Sequence, residues 1–196
     1  MINYLLKNIF TLTNLCILIF IIIVILIILK AYIGKTYYSF YPGLPIYPNN
    51  KTDVEKAKKY IKLRTKEDVE FFYKTNKSVA KAFIEELNES EEEIDKICDS
   101  VYNIILLFKY IFNRARPAQI DSTIKPINTD TAKTPSFPSG HAFQAYYVSK
   151  YYSKKYPEKE KKLRKIAKEC DLTRIKAGLH YPSDGQFSEL LVKILF

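Results

Sequence analysis

The sequence predicts an all-α protein in which one transmembrane helix precedes a bundle of shorter helices. Residues 8–29 carry no charge, and at about 1.5 Å per helical residue they can cross a hydrocarbon layer of about 30 Å. Farther along, apolar residues recur at steps of three and four, which is the period of a helix that buries one face. The sequence shows no alternating strand pattern, hairpin signal or internal repeat.

Length and composition indicate one folded domain behind the anchor. The chain has 196 residues, of which 47% are hydrophobic and 27% are charged, and this supplies one substantial core. We divide the chain into an anchor with its interfacial segment at residues 1–40, a proline-rich linker at residues 41–51 and a helical domain at residues 52–196.

The apolar segment at residues 8–29 has the features of an uncleaved, single-pass membrane anchor. From Ile17 onward it consists almost entirely of Ile, Leu, Val and Phe. The alternative is a signal peptide, whose apolar region is about 7–15 residues long and ends at a small-residue cleavage site, and no such site follows here. The flanking charges leave the side of the membrane open, and so do the cysteines, because Cys98 and Cys170 fit either a disulfide or two buried thiols.

Aromatic residues are concentrated just after the anchor, at Tyr32, Tyr37, Tyr38, Phe40 and Tyr41. Aromatic side chains accumulate at the headgroup level of a bilayer, so this segment predicts an interfacial belt. Packing against the folded domain is the alternative.

Local signals predict where the helices of the domain begin. Thr52 with Glu55 and Ser90 with Glu93 fit the capping box, in which two side chains satisfy free backbone N–H groups at a helix start. Strong helix formers without proline or glycine predict another helix within residues 65–87.

The helix that begins after Ser90 is expected to be long. The apolar stripe that it would bury consists of Ile94, Ile97, Val101, Ile104, Phe108 and Ile111. Three further helices are expected at residues 142–156, 159–176 and 186–196.

The formal charge of +10 raises the question of a nucleic-acid partner. The basic residues concentrate between Lys154 and Lys176, on a predicted helix where acidic residues interrupt them. The sequence shows neither a basic array interleaved with aromatics nor a nucleic-acid-binding motif. The pattern therefore favours a solvated helix face, and we expect no nucleic-acid partner.

The first candidate site element is the end of the apolar helix, at Lys109, Arg116 and Pro117. An unpaired buried ammonium costs on the order of several kcal/mol, so Lys109 requires an anionic partner. Arg116 follows seven residues later, two turns on and therefore on the same helical face, and Pro117 ends the helix. Together the two cations can grip a dianion such as phosphate. In the alternative, Lys109 extends to solvent and Arg116 binds carbonyl groups at the helix end.

The second element is Pro138-Ser139-Gly140-His141, which precedes an aromatic-rich helix. Backbone N–H groups at a helix N-terminus bind anions, a glycine there permits close approach, and Ser139 can add a hydroxyl. His141 would stand beside the anion and donate or accept a proton.

The third element runs from Thr173 to Asp184. Arg174 lies six residues before His180 and Asp184 lies four residues after it, so a cation, an imidazole and a carboxylate have fixed spacings. A neutral imidazole whose other nitrogen is held by a carboxylate is a competent nucleophile toward phosphorus. Pro182 also suits the first turn of a helix, and the alternative is an ordinary helix start with a surface histidine.

Together and in this order, the three stretches resemble the signature of the type 2 phosphatidic acid phosphatase (PAP2) superfamily, which also contains soluble bacterial acid phosphatases and vanadium haloperoxidases. The resemblance covers the 76 residues from Lys109 to Asp184. Thr173 stands where the family pattern usually has Ser, and it keeps the hydroxyl. The single anchor also departs from the multispanning lipid phosphatases of the family, which have about six membrane helices.

The resemblance implies a helical-bundle phosphatase domain that requires no metal, and the sequence contains no cluster of ligands with metal-binding spacing. It implies that His180 attacks phosphorus and forms a phosphohistidine, and that Asp184 orients His180. It further implies that His141 protonates the leaving oxygen and later activates water. The residues that the resemblance assigns to phosphate binding are Lys109, Arg116, Ser139, Gly140 and Arg174.

The resemblance implies a phosphorylated small molecule or lipid as substrate, and vanadate or another phosphate analogue as a ligand of the same pocket. Membrane attachment is consistent with lipid phosphates such as phosphatidic acid, or with polyprenyl diphosphates, because a tethered site meets them at a raised local concentration. A soluble phosphomonoester is the alternative. The sequence specifies neither the natural substrate nor the oligomeric state. Three alternatives stay open: a vanadate-dependent haloperoxidase, a phosphotransferase, and a non-catalytic membrane-anchored protein that binds phosphate.

Overall fold

The structure, a computed structural model, describes the backbone of residues 2–196 and the side chains of residues 11–30 and 34–196. Within this part of the chain 69% of the residues are helical and no strand forms. One isolated antiparallel bridge joins Thr36 to Arg114. The predicted all-α class, with its apolar N-terminal helix, is confirmed.

The first helix, α1 (Ile2–Ile33), contains the apolar segment predicted at residues 8–29. Its section Thr11–Lys30 has a mean hydropathy of 3.3, is not buried against the rest of the protein, and is the one described helix long and apolar enough to cross a membrane. So many exposed Ile and Leu side chains support membrane association. The side chains of residues 8–10, and that of Tyr32 in the predicted aromatic belt, lie outside the described residues.

The domain follows a connector at residues 34–49. Its helices, in chain order, are α2 (Asn50–Lys62), α3 (Lys66–Thr75), α4 (Ile84–Leu87), α5 (Glu91–Ser100), α6 (Tyr102–Phe112), α7 (Pro117–Ile120), α8 (Gly140–Lys155), α9 (Glu160–Lys176) and α10 (Pro182–Leu195). Short 3₁₀ turns at Val79–Ala82 and Pro157–Lys159 precede α4 and α9. In this arrangement α8 packs against both α9 and α10, and α5 and α6 also contact it.

The core of the domain surrounds α8. Its largest buried apolar side chains include Phe83, Ile94, Ile105, Phe143, Val148 and Leu163. Each such side chain contributes about 1.5–3 kcal/mol on burial. Cys98 and Cys170 belong to the same core as free thiols, and burial raises the pKa of each thiol to about 12.

The long helix predicted after Ser90 is divided in two. Ser90 caps α5, because its Oγ accepts the backbone N–H of Glu93 at 3.2 Å. The predicted capping box is only half formed, since the Glu93 carboxylate accepts the Ser90 hydroxyl at 3.3 Å and not the Ser90 backbone N–H. At Val101 the N–H bonds to the carbonyl of Cys98, three residues back, and this tightened turn separates α5 from α6.

The end of α6 also differs from the prediction. Asn113 adopts a left-handed conformation with φ 47°, which ends the helix at Phe112. Arg116 therefore lies in an extended segment beyond the helix. The prediction that Arg116 shares a helical face with Lys109 is wrong, although both side chains reach the same cavity.

Other helix boundaries differ by a few residues or by division of a segment. α2 begins at Asn50 with Asn49 as its cap, so the capping box predicted at Thr52 is wrong. α10 begins at Pro182, four residues earlier than predicted, because proline suits the first helical position. The segment predicted as one helix after Thr65 is divided into α3, a 3₁₀ turn and α4.

The proline-rich segment at residues 41–51 packs against the domain. Tyr47 and Asn50 are buried, and the backbone N–H of Leu44 donates to the carbonyl of Ile111 at 2.7 Å. This segment therefore forms part of the wall that supports the candidate site.

Candidate active site

Side chains from separate segments line one polar cavity of about 440 Å³ near the start of α8. Of the predicted site residues, those that line it are Lys109, Arg116, Gly140, His141 and His180. The other three, Ser139, Arg174 and Asp184, are buried directly behind them. In the described part of the chain, no group of three or more His, Cys, Asp or Glu side chains is placed to hold a metal ion.

His180 is buried, and its two ring nitrogens have different partners. Nδ1 lies 2.9 Å from Oδ2 of Asp184, and Nε2 lies 3.3 Å from Nη1 of Arg116. Because a carboxylate only accepts, Nδ1 carries the proton and Nε2 presents its lone pair to the guanidinium and the cavity. Burial lowers the pKa of His180 to about 3, with Arg116 adding to the effect and Asp184 opposing it, so the imidazole is neutral.

Asp184 is fully buried, and both of its carboxylate oxygens have partners. Oδ2 accepts from Nδ1 of His180, from the hydroxyl of Ser136 and from the backbone N–H of Tyr181. Oδ1 accepts from Nη1 of Arg114 at 2.7 Å. Burial opposes ionisation, but Arg114 and the bond to His180 hold the pKa of Asp184 below its usual value. Asp184 is therefore a carboxylate that orients His180.

Arg114 connects the candidate site to α2 and the connector. Its Nη1 donates to Asp184 at 2.7 Å, its Nη2 donates to Asp53 at 2.9 Å, and its Nε donates to Asn50 at 2.9 Å. The guanidinium carbon lies 3.8 Å from the centroid of the Tyr181 ring, a cation–π contact. The planar fork thus fixes Asp184 from the side opposite His180.

Lys109 and Arg116 are buried cations whose protein partners are carbonyl groups. Nζ of Lys109 donates to the carbonyl of Pro135 at 2.6 Å. In Arg116, Nε donates to Thr134 at 3.0 Å and Nη1 to Leu179 at 2.9 Å. Burial and the charge of Arg116 lower the pKa of Lys109 well below its usual value, and burial lowers the pKa of Arg116. Carbonyl groups do not neutralise these charges, so the cavity favours an anion.

Asn76, at the end of α3, holds both Arg174 and His141. Arg174 donates to Oδ1 of Asn76 at 3.0 Å and to the carbonyl of Thr75 at 2.9 Å, and its guanidinium carbon lies 4.6 Å from the centroid of the Phe72 ring. The backbone carbonyl of Asn76 lies 2.9 Å from Nε2 of His141. Because a carbonyl only accepts, Nε2 of His141 carries a proton and Nδ1 is the free nitrogen. Burial and the charge of Arg174 lower the pKa of His141 well below its usual value.

Ser139 and Gly140 form the start of α8. Oγ of Ser139 accepts the N–H of Ala142 at 3.5 Å, and the N–H of Ser139 donates to the carbonyl of Asp184 at 3.2 Å. The predicted hydroxyl therefore serves as a helix cap behind the cavity. Gly140 lines the cavity beside Lys109, where a Cβ would make only an ordinary contact at 3.6 Å. The helix N-terminus at this point adds partial positive charge.

Three residues that organise the cavity were not predicted from the sequence. They are Asn76, Arg114 and Ser136. Arg114 did carry a signal, because it is a charge beside an apolar helix and needs an anionic partner for the same reason as Lys109. Asn76 and Ser136 carried none, since they lie 65 and 48 positions from the residues that they contact.

Comparisons with known proteins give a family and a similar fold. Residues 98–191, which include all three predicted stretches, match the model of the PAP2 superfamily. The chain is also similar to a transmembrane PAP2-type phosphatidylglycerolphosphate phosphatase from Bacillus subtilis, known from a crystal structure. The TM-score is 0.51 at 17% identity, over 89% of this chain and 90% of that one, so the likeness concerns the fold. No curated protein matches the chain.

Proposed function

Since residues 98–191 place this chain in the PAP2 superfamily, we propose that it is a metal-independent phosphatase that acts through a phosphohistidine on His180. The observation that carries the proposal is the neutral imidazole of His180, held at Nδ1 by Asp184, with Nε2 at the edge of a cationic cavity. Its substrates are phosphate monoesters or diphosphates. We include lipid phosphates such as phosphatidic acid because we propose that α1, whose section Thr11–Lys30 is long and apolar enough to cross a membrane, is a single-pass anchor.

In this proposal, phosphate binds to the positive charges of Lys109 and Arg116, which their carbonyl partners do not neutralise. Lys109 and Arg116 bind the phosphate oxygens from one side of the cavity, and the N–H group of Gly140 binds from the start of α8. Arg174 and the hydroxyl of Ser139 support this arrangement from behind the cavity wall. When Nη1 of Arg116 turns to a phosphate oxygen, it releases the lone pair on Nε2 of His180, which lies 3.3 Å away.

In the first chemical step, Nε2 of His180 attacks phosphorus in line with the leaving oxygen. A P–N bond forms and the P–O bond to the leaving group breaks. The positive charge that develops on the imidazole is stabilised by the carboxylate of Asp184. His141 supplies the proton to the leaving oxygen, and the bound phosphate dianion favours its protonated form by offsetting the nearby cations.

In the second step, water attacks phosphorus and gives a proton to His141. The P–N bond breaks, inorganic phosphate leaves, and Nε2 of His180 regains its lone pair. Vanadate is an expected inhibitor, because a five-coordinate oxyanion resembles the transition state more closely than the substrate does.

The test is hydrolysis of an aryl phosphate by the full chain in detergent, with excess chelator and with or without vanadate. We expect chelator-resistant, vanadate-inhibited turnover. His180→Gln should lower kcat by roughly a thousandfold or more and abolish the phosphoenzyme, because the attacking atom is gone. His141→Gln is the matched variant, and it should still form the phosphoenzyme from an activated aryl substrate but release phosphate slowly.

Two results would contradict this mechanism: normal turnover by His180→Gln, or loss of activity with chelator alone. Oxidation of halide after addition of vanadate would indicate a haloperoxidase instead. Partitioning of the phosphoryl group to an added alcohol would indicate a phosphotransferase. Phosphate binding without turnover of aryl or lipid phosphates would indicate a binding protein.

A further inference from the structure

The outward side of α6 is mostly apolar, and Asn103 is its one exposed polar residue. Successive residues are about 100° apart around a helix, so the exposed positions share one side, opposite the buried Ile105 and Lys109. The apolar residues on this side, called here the α6 apolar face, are Tyr102, Leu106, Leu107, Tyr110 and Ile111. Leu107 is 58% exposed and Ile111 is 42% exposed. The exposed side of α6 includes no charged residue, whereas surface helices of soluble domains carry charges on their outer side.

The α6 apolar face lies beside the segment where the chain leaves the anchor. The N–H of Tyr37 donates to the carbonyl of Asn113 at 2.8 Å, and Nδ2 of Asn113 donates to the carbonyl of Tyr38 at 2.9 Å. The ring of Tyr38 stacks on Tyr110 with centroids 6.3 Å apart. Because Tyr37 lies only seven residues after Lys30, where the apolar section ends, these bonds keep the C-terminal end of α6 close to the end of that section.

Exposed aromatic residues extend this surface. Phe40 is 82% exposed, and its ring lies 5.5 Å from Tyr38 and 5.0 Å from Tyr41 between centroids. Water does not favour such exposure of phenylalanine, whereas the headgroup level of a bilayer accommodates aromatic rings. The cluster of Tyr38, Phe40 and Tyr41, together with Tyr110, therefore continues the α6 apolar face toward the anchor.

The same surface borders the candidate active site. Tyr102 and Leu106 line the cavity together with Lys109. At another part of the lining, the carbonyl of Lys133 accepts the hydroxyl of Tyr38 at 3.4 Å. The α6 apolar face therefore reaches the cavity lining through Tyr102 and Leu106, and the aromatic cluster contacts the lining through Tyr38.

We propose that the α6 apolar face and the aromatic cluster form a second membrane-contact surface, which seats the domain on the bilayer with the cavity at its edge. A lipid phosphate then keeps its acyl chains in the membrane while its headgroup passes Tyr102 and Leu106 to reach Lys109. The contact with the bilayer is inferred from the exposed apolar surface alone. The passage of the headgroup also depends on the proposed phosphatase function. We assign the bilayer as the partner of this surface because the surface is continuous with the segment that follows α1.

A single tryptophan can locate this surface, because the chain contains none. The full chain carrying Leu107→Trp is reconstituted in phosphatidylcholine vesicles with and without brominated acyl chains. The matched control is Ile194→Trp, at a position that is 68% exposed. Ile194 lies twelve residues after Pro182 on α10, about 18 Å from the cavity end of the domain.

We expect Leu107→Trp to emit at shorter wavelength in vesicles and to be quenched by the brominated lipid, and Ile194→Trp to be insensitive to both. Equal quenching of the two tryptophans, or no quenching of Leu107→Trp, would overturn the proposal. A blue-shifted but unquenched Leu107→Trp in a chain that cross-links as a dimer would also overturn it, because a second copy would then cover the face.

A pair of serine variants tests whether the surface presents substrate. Leu107→Ser with Ile111→Ser is compared with Leu190→Ser with Ile194→Ser, the same residue types at the same spacing on α10. We expect the α6 variant to hydrolyse phosphatidic acid in vesicles roughly tenfold more slowly, which corresponds to about 1.4 kcal/mol, and to keep its rate on a soluble aryl phosphate. The α10 variant should match the unaltered chain on both substrates.

The two substrates separate the two proposals. If the unaltered chain hydrolyses neither, the phosphatase assignment fails while the quenching result still decides the membrane contact. If the α6 variant keeps full activity on both, the phosphatase stands and the role of the surface in presenting lipid is overturned. Retained aryl phosphate turnover in the α6 variant also shows that the substitutions leave the domain folded.

Discussion

Arg114 shows how much of the candidate site rests on one residue outside the cavity lining. It is fully buried between Asp53 and Asp184, at 2.9 Å and 2.7 Å, and forms an ion pair with each. Its contact with Asp184 occupies the oxygen that His180 does not use. Arg114 is therefore a positioning residue, which acts on His180 through Asp184.

Replacement of Arg114 should lower stability and catalysis without weakening substrate binding. Arg114→Ala leaves Asp53 and Asp184 as uncompensated buried carboxylates, so the free energy of unfolding should fall by about 3–5 kcal/mol. Arg114→Lys keeps the charge but cannot bridge both carboxylates, so kcat should fall while KM for an aryl phosphate stays close to its original value. Denaturant unfolding and steady-state kinetics measure the two effects.

The control for the lysine variant is Arg164→Lys on α9. This position is exposed, so the substitution should change neither the free energy of unfolding nor kcat. An unaltered kcat in Arg114→Lys would show that Asp184 and His180 hold their geometry without the fork of Arg114. A raised KM with an unaltered kcat would instead indicate that Arg114 acts on phosphate binding.

At the scale of elements, α10 approaches α9 at Gly185 more closely than a side chain allows. A Cβ at Gly185 would overlap Oδ1 of Asp171, so the two helices fit together only because this residue is glycine. Asp171 is buried, and its Oδ2 accepts the hydroxyl of Tyr146 at 3.1 Å. Its Oδ1 has no hydrogen-bond partner among the described residues. Burial raises the pKa of Asp171 to about 6, with Lys168 opposing the effect.

This carboxyl predicts a stability that depends on pH. The pKa of Asp171 in the folded state lies above its unfolded value of about 3.9, so ionisation between about pH 4 and pH 6 destabilises the fold. Above about pH 6 the full loss is about 3 kcal/mol. Asp171→Asn stays neutral and should raise Tm at pH 8, whereas the difference should vanish near pH 3, where Asp171 is protonated in both the folded and the unfolded state. Thermal unfolding in detergent at both pH values measures this.

Glu158→Gln, which removes an exposed carboxylate on the turn before α9, is the control for the change in net charge. If Asp171→Asn is no more stable than the original chain at pH 8, the ion pair with Lys168, at 3.3 Å, outweighs the cost of burial.

At the scale of the whole molecule, the connector joins the anchor to the site more tightly than a linker does. The proline-rich segment predicted as a linker buries Tyr47, and the residues just before it bond to Asn113 beyond α6. The site, the connector and the exit of α1 therefore form one assembly. Within it, the candidate active site has a defined position relative to the C-terminal end of α1.

Two deletions test this assembly. Removal of residues 2–30 takes away the apolar section and leaves the connector, so the chain should fold with a nearly unaltered Tm and hydrolyse a soluble aryl phosphate. Removal of residues 2–48 also deletes Tyr47 and the bonds to Asn113, and should lower Tm by about 10 °C or more. Thermal unfolding of both variants measures the difference. An unfolded product of the shorter deletion would show that α1 itself stabilises the domain.

The sequence by itself determined the helical class, the apolar N-terminal helix and the three chemical stretches. Each is a local property: the helical period, an uncharged run, or a spacing such as that of His180 and Asp184, which needs only one turn of chain. The PAP2 match over residues 98–191 confirmed the family that these stretches resemble. Local signals were also sufficient for the capping of α5 by Ser90.

Only the tertiary structure decided how the stretches meet and what supports them. Arg114 contacts Asp53 and Asp184, which are 61 and 70 positions away, and Arg174 contacts Asn76, which is 98 positions away. No sequence period encodes such pairs, because they depend on how whole helices pack. The apolar face of α6 was likewise not predicted: the stripe expected to be buried included Ile111, which is 42% exposed. An apolar helix in the sequence can be buried on every side. Which side faces outward is determined by the helices that cover the rest.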